Sequence, residues 1–108
     1  MKMIKAVVRP EKAEVILEKL MESGFPAATR MQVLGKGKQK GLKVGDIYYD
    51  EIPKELIMVV VQDNEAKTVT DIIVNEARTG KAGTYGDGKI FISSVEEAIT
   101  ISSGKAEL

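Results

Sequence analysis

The hydrophobic and polar positions change period several times along the chain, and each change marks an element. Met3 to Val8 is a short, largely apolar run closed by Pro10, which predicts a first strand. From Glu11 the spacing becomes helical. Ala13, Ile16, Leu17, Leu20 and Met21 form one stripe while Glu14, Glu18, Lys19 and Glu22 face outward, and Gly24 supplies the stop. Residues 28–34 read as a second strand. Leu56 to Val61 is an uninterrupted apolar run, the pattern of a central strand covered on both faces. Asp63 or Asn64 is placed to cap a second helix with the stripe Ala66, Val69, Ile72, Ile73 and Ala77. A last main strand is expected at Lys89–Ser93, a short helical piece around Val95–Ala98 and an extended segment near Thr100–Ser102.

The order strand-helix-strand-strand-helix-strand predicts an α+β fold. It is the ferredoxin-like βαββαβ arrangement, with both helices on one face of an antiparallel sheet. At 108 residues the chain reads as a single domain, 1–108, and one this small gains from assembly with further copies. Fold alone leaves function open.

Composition narrows the chemistry. There is no cysteine and no histidine, which removes zinc and thiol sites, serine–histidine triads and imidazole acid–base work. Sixteen basic residues against sixteen acidic ones argue against a nucleic-acid footprint. No apolar stretch approaches the roughly 20 residues that span a bilayer, and the cysteine-free chain suits a reducing, cytoplasmic location.

Two loops break the periodic pattern. Lys36 to Pro53 contains Gly37, Gly41 and Gly45 with lysines at 36, 38, 40 and 43, and a loop of this length in so small a domain is commonly functional. Thr79 to Lys89 is the second, rich in glycine at 80, 83, 86 and 88. Glycine lets backbone N–H groups turn toward an anion, and Lys89 can set a cation on the same phosphates. Gly83 to Lys89 nearly spells the P-loop, but Ile90 stands where a magnesium-binding hydroxyl is required and a strand follows where a helix should. On this loop alone, an ordinary glycine-rich connector reads as well as an anion site. A solvated basic loop is the simpler reading of Gly35–Gly41 by itself.

Taken together, Gly35-Lys-Gly-Lys-Gln-Lys-Gly41, Ala77-Arg-Thr-Gly-Lys81 and Gly86-Asp-Gly-Lys-Ile-Phe91 resemble the PII signal-transduction family. Val8-Arg-Pro10, Pro53-Lys54 and Val95-Glu-Glu-Ala98 match as well, so the resemblance spans nearly the whole chain. It implies a trimeric assembly with ATP or ADP in clefts between subunits. The nucleotide would touch Val7, Thr29, Gly35, Lys36, Gly37 and Lys38, with Gly86, Asp87, Gly88 and Lys89 as the phosphate-binding loop, about 79–89. Gln39 would help ligate Mg²⁺ shared with 2-oxoglutarate. The segment at about 37–53 would be the effector arm, the T-loop. In this reading the chain is not an enzyme.

The match is imperfect. The phosphate loop carries extra residues around Thr84-Tyr85; Thr100 and Ser102 stand where the family has phosphate-binding arginines; Leu56 stands at the lysine that pairs with 2-oxoglutarate; the arm is short. The short arm, Gly41 to Pro53 followed by Leu56-Ile-Met58, resembles the PII-like branch encoded with nitrogenase genes. That implies a homotrimer or a hetero-oligomer with a sister chain, and control of a nitrogenase component, with Lys43, Tyr48, Tyr49 and Asp50 as contacts on the arm. Two other functions are weighed against it. One is a general PII role on an ammonium transporter or glutamine synthetase; the other is ATP hydrolysis, for which no persuasive general base is present.

Overall fold

A computed structural model describes residues 1–36 and 51–108, together with the backbone of 42–44 and 47–49. Lys2–Val8 forms β1, Pro10–Glu22 α1, Thr29–Gly35 β2, Leu42–Val44 β3, Ile47–Tyr49 β4 and Ile52–Val61 β5; Ala66–Ala77 forms α2, Gly88–Ser94 β6, Ile99–Thr100 β7 and Lys105–Ala106 β8. The main sheet has the order β2-β5-β1-β6, with every neighbouring pair antiparallel. It is the ferredoxin-like α+β fold. The strand pairs β3–β4 and β7–β8 are separate two-stranded ribbons.

Both helices bury one stripe against one face of the sheet. Ala13, Ile16 and Leu20 of α1 meet Val69, Ile73 and Ala77 of α2 over Ile4, Ala6, Val8, Ile57, Val59 and Val61. Pro10 opens α1 without sacrificing a needed N–H, and Gly24, at φ +93°, lets the chain leave. Met21 departs from the expected stripe: it lies past the edge of the contact and is 61% exposed.

Three further expectations are corrected. The apolar run of β5 is covered on one face only, and its burial alternates, with Ile57, Val59 and Val61 buried and Leu56, Met58 and Val60 half-buried. The cap of the second helix is neither Asp63 nor Asn64. A 3₁₀ turn at Asp63–Glu65 precedes α2, and the Glu65 carboxylate accepts the Gln62 N–H at 3.0 Å. Val95–Ala98 is not helical: the Val95 N–H donates to the Met1 carbonyl and prolongs the β1–β6 ladder. Four residues are too few to offset helix nucleation. The chain then turns at 101–104, with Gly104 at φ +69°, so Ile101 and Ser102 belong to a hairpin bend rather than to an extended segment.

The sheet also holds one buried charge. Glu55, 4% exposed, accepts from Arg30 Nη2 at 3.2 Å, and the same guanidinium donates through Nη1 to Glu14 of α1 at 2.9 Å. Oε2 of Glu55 has no partner among the described residues.

Candidate functional site

The 79–88 loop is organised around one carboxylate. Asp87 Oδ1 accepts from the Thr79 hydroxyl at 2.7 Å and from Arg9 Nε at 3.1 Å; Oδ2 accepts the N–H groups of Thr79 at 3.0 Å and Thr84 at 2.8 Å. Partial burial pushes the Asp87 pKa up, but the donors from Thr79, Thr84 and Arg9 outweigh it and hold the carboxyl well below the usual range. With both oxygens so occupied, Asp87 shapes the loop, and its part toward a phosphate is to hold the neighbouring amides in place.

Two cations pin the loop to the sheet. Arg9 Nη2 donates to the Tyr85 carbonyl at 3.1 Å, and Lys54 Nζ donates to the Gly86 carbonyl. Desolvation and the nearby Arg9 push the Lys54 pKa down, against the pull of Glu11 and Asp87. The glycines let the chain follow this path, with φ of +68° at Gly80, +79° at Gly83 and +98° at Gly86. Gly88 is the tightest point, because a Cβ there would sit 1.8 Å from the Val7 carbonyl oxygen.

The sheet register decides which residues meet. Val7 pairs with Lys89 on one side and with Leu56 on the other, on the face away from the helices. Gly35 pairs with Ile52, and a Cβ at Gly35 would lie 3.3 Å from Lys54 Cγ. One lysine side chain therefore joins the root of the arm to the glycine loop. The structure gathers Val7, Gly35, Gly86, Asp87, Gly88 and Lys89 at one end of the sheet, with the exposed Lys36 following Gly35. Thr29 is not among them. It pairs with Met58 at the other end of β2, six residues from Gly35, or about 20 Å along the strand.

Gly37, Lys38, Gln39 and Asp50 lie outside the described residues, as do the side chains of Lys43, Tyr48 and Tyr49. Among the described residues no three acidic groups gather as a metal cage. No described helix is long and apolar enough to cross a membrane.

Sequence reasoning missed the clamp. Arg9 and Lys54 stood out only as parts of matching tripeptide and dipeptide segments, and Thr79 only as a loop residue. Their partners are 78, 32 and 8 residues away, and no local pattern signals such distances. Lys54 also bears on Leu56. The two share one face of β5, with Lys54 two residues nearer the loop, so the lysine at the ligand end of this strand is Lys54.

A second concavity lies on the helix side of β6. It measures about 420 Å³ and is walled by Val8, Ile73, Val74, Ile90 and Ile92, with Arg78 at its rim.

Comparison with known proteins adds identity to this geometry. The family model described as "Nitrogen regulatory protein P-II" matches residues 1–105. The chain is 54% identical over 101 residues to the "Nitrogen fixation nifHD region glnB-like protein 1" of Methanococcus maripaludis, covering 94% of this chain and 93% of that one. It is 46% identical over 108 residues, the full length of both, to the "Nitrogen fixation nifHD2 region GlnB-like protein 1" of Methanosarcina barkeri. It is 40% identical over 110 aligned positions to the "Nitrogen regulatory protein P-II 2" of Methanothermobacter thermautotrophicus, covering 98% and 93% of the two chains.

Proposed function

The chain belongs to the nitrogen regulatory protein P-II family, and from that premise we propose that it senses an adenine nucleotide and controls a nitrogenase component through its 37–53 arm. Members of this family are regulatory signal transducers, so the chain is a regulator and not an enzyme. ATP or ADP is held at the 79–89 loop, cytoplasmic 2-oxoglutarate is the co-effector, and the target is the dinitrogenase component. The names of the relatives from nif regions favour this target over an ammonium transporter or glutamine synthetase.

One observation carries the reading: a glycine-rich turn locked by Asp87, lying beside Lys89 and Val7 and tied by Lys54 to the root of the arm. Amides fixed in advance bind an anion without an ordering cost. The charge and donor set fit a polyphosphate. Magnesium, where bound, would be held mainly by ligand oxygens with the Gln39 carbonyl as the protein's share, since the described residues offer no acidic cage.

Calorimetric titration with ATP, ADP and 2-oxoglutarate plus Mg²⁺ tests the reading. Lys89→Ala should weaken nucleotide binding by about 10-fold or more, the worth of one charged hydrogen bond. Deleting 43–50 should leave nucleotide affinity intact and abolish control of the target. Lack of affinity for every adenine nucleotide at millimolar concentration would overturn the sensor assignment.

A site between copies accounts for Thr29, which one chain keeps away from its own glycine loop. The uncovered face of the sheet supports such an assembly: Leu56, Met58 and Val60 are only half-buried there, and Phe91 and Met31 are 56% and 49% exposed. We expect a trimer, formed by this chain alone or with a sister chain. Sedimentation equilibrium of the purified chain should return about three times the mass of the 11.8 kDa chain. A monomer mass with nucleotide present would remove the shared site.

A further inference from the structure

Tyr85 lies on the locked loop, yet its ring is used by nothing in the chain. Its carbonyl is held by Arg9, its neighbours Thr84 and Gly86 are held by Asp87 and Lys54, and its side chain is 73% exposed. Its ring enters no hydrogen bond among the described residues. An aromatic side chain in water on a fixed backbone loses little conformational freedom when it is covered, which is the profile of an interface anchor. The ring stands at the rim of an open concavity lined by Ala82, Gly83, Thr84 and Asp87.

Its place in the molecule matters as much as its exposure. Lys54 reaches from beside Gly35, at the root of the arm, to the Gly86 carbonyl. Tyr85 therefore stands within about the span of one lysine side chain from where the arm leaves the sheet. A protein that docks on the arm approaches this same end. The surroundings are cationic although the chain as a whole is neutral. Segment 78–89 carries Arg78, Lys81 and Lys89 against Asp87 alone, and the Asp87 charge is already answered by Arg9.

We infer that Tyr85 anchors a second docking surface, on the 79–88 loop, for an acidic face of the protein that the arm engages. The inference rests on the function proposed above. It adds that the target is gripped at two points, one on the arm and one on the loop that answers to the nucleotide, so that occupancy is felt directly at the interface. Positive charge at Lys81 and Arg78 steers the acidic face, and the tyrosine ring supplies the desolvated contact.

The test measures binding of the immobilised chain to the purified dinitrogenase component, with Tyr85→Ala, Lys81→Glu and the wild type compared in parallel. Tyr85→Ala removes a ring that supports nothing, so melting temperature and ATP affinity should stay within twofold or a degree or two of wild type. Target affinity should fall 10- to 100-fold. Lys81→Glu should lower it further at low salt than at high salt. If the wild type binds and Tyr85→Ala binds equally well, the surface is overturned and the arm alone does the docking. If Tyr85→Ala instead alters nucleotide affinity or assembly mass, the ring belongs to the ligand or to a contact between copies, and the inference fails. No binding by the wild type overturns the function reading, and this surface with it.

Discussion

Gly88→Ala is expected to destabilise the protein by about 4 kcal/mol or more, which puts it among the rare substitutions that remove a large part of a domain's stability. Two independent costs coincide at this position. The backbone is at φ +119°, a region that residues with a Cβ essentially do not occupy, and the new Cβ would lie 1.8 Å from the Val7 carbonyl oxygen. That oxygen is main chain in the middle of the sheet and cannot swing away, so β6 must detach from β1 at its first pair, Gly88 with Val8. Gly24→Ala is the matched control. It is also at positive φ, +93°, but nothing lies within 4 Å, and the cost should be only about 1–2 kcal/mol. Urea unfolding of the two variants beside the wild type checks both values. Equal losses at the two sites would mean that β1 and β6 do not approach as described.

The second large effect is expected from Asp87→Asn. The substitution keeps shape but offers one acceptor oxygen where two received four donors, and it turns an NH₂ toward groups that donate. Stability should fall by about 2–4 kcal/mol, as for a buried group that loses charged hydrogen bonds. Nucleotide affinity should fall by about 100-fold or more, since several amides lose their alignment together, against about 10-fold for Lys89→Ala. The acid limb of stability provides a second readout. The folded carboxyl has its pKa below the unfolded value, so its contribution is fully present above the ordinary carboxylate range and is lost as pH falls toward the depressed folded value. Wild-type stability should therefore decline below about pH 5, and the part of that slope due to Asp87 should vanish in Asp87→Asn. An Asp87→Asn variant that titrates ATP like the wild type would show that the loop needs no such organiser.

Parts of the site were plain in the residues and parts were hidden, for identifiable reasons. The glycine-rich turn and Lys89 stand in one continuous stretch, so their joint use as an anion cradle can be read locally. The clamp that makes the turn rigid cannot. Arg9 opens a helix, Lys54 sits inside a strand and Asp87 ends a loop, and each alone looks like a solvated charge. The likeness to the family brought these segments to attention without saying what they touch. Thr29 illustrates the converse: it belongs with the site by resemblance, but one chain keeps it at the other end of β2.

By itself, the sequence determined the elements and their order. Helical and alternating periods are local properties, and the stripes Ala13-Ile16-Leu20 and Val69-Ile73-Ala77 can be satisfied only by burial against a sheet. It also determined the chemistry left available to a chain without cysteine or histidine. Tertiary structure alone decided that β5 is covered on one face, that a helix expected at 95–98 yields to a prolonged ladder, and that four distant donors converge on Asp87. The reason lies in range. Periodicity is fixed by neighbours a few residues apart, whereas a hydrogen-bond hub is fixed by how strands align across the sheet, and that alignment exists only once the core has formed.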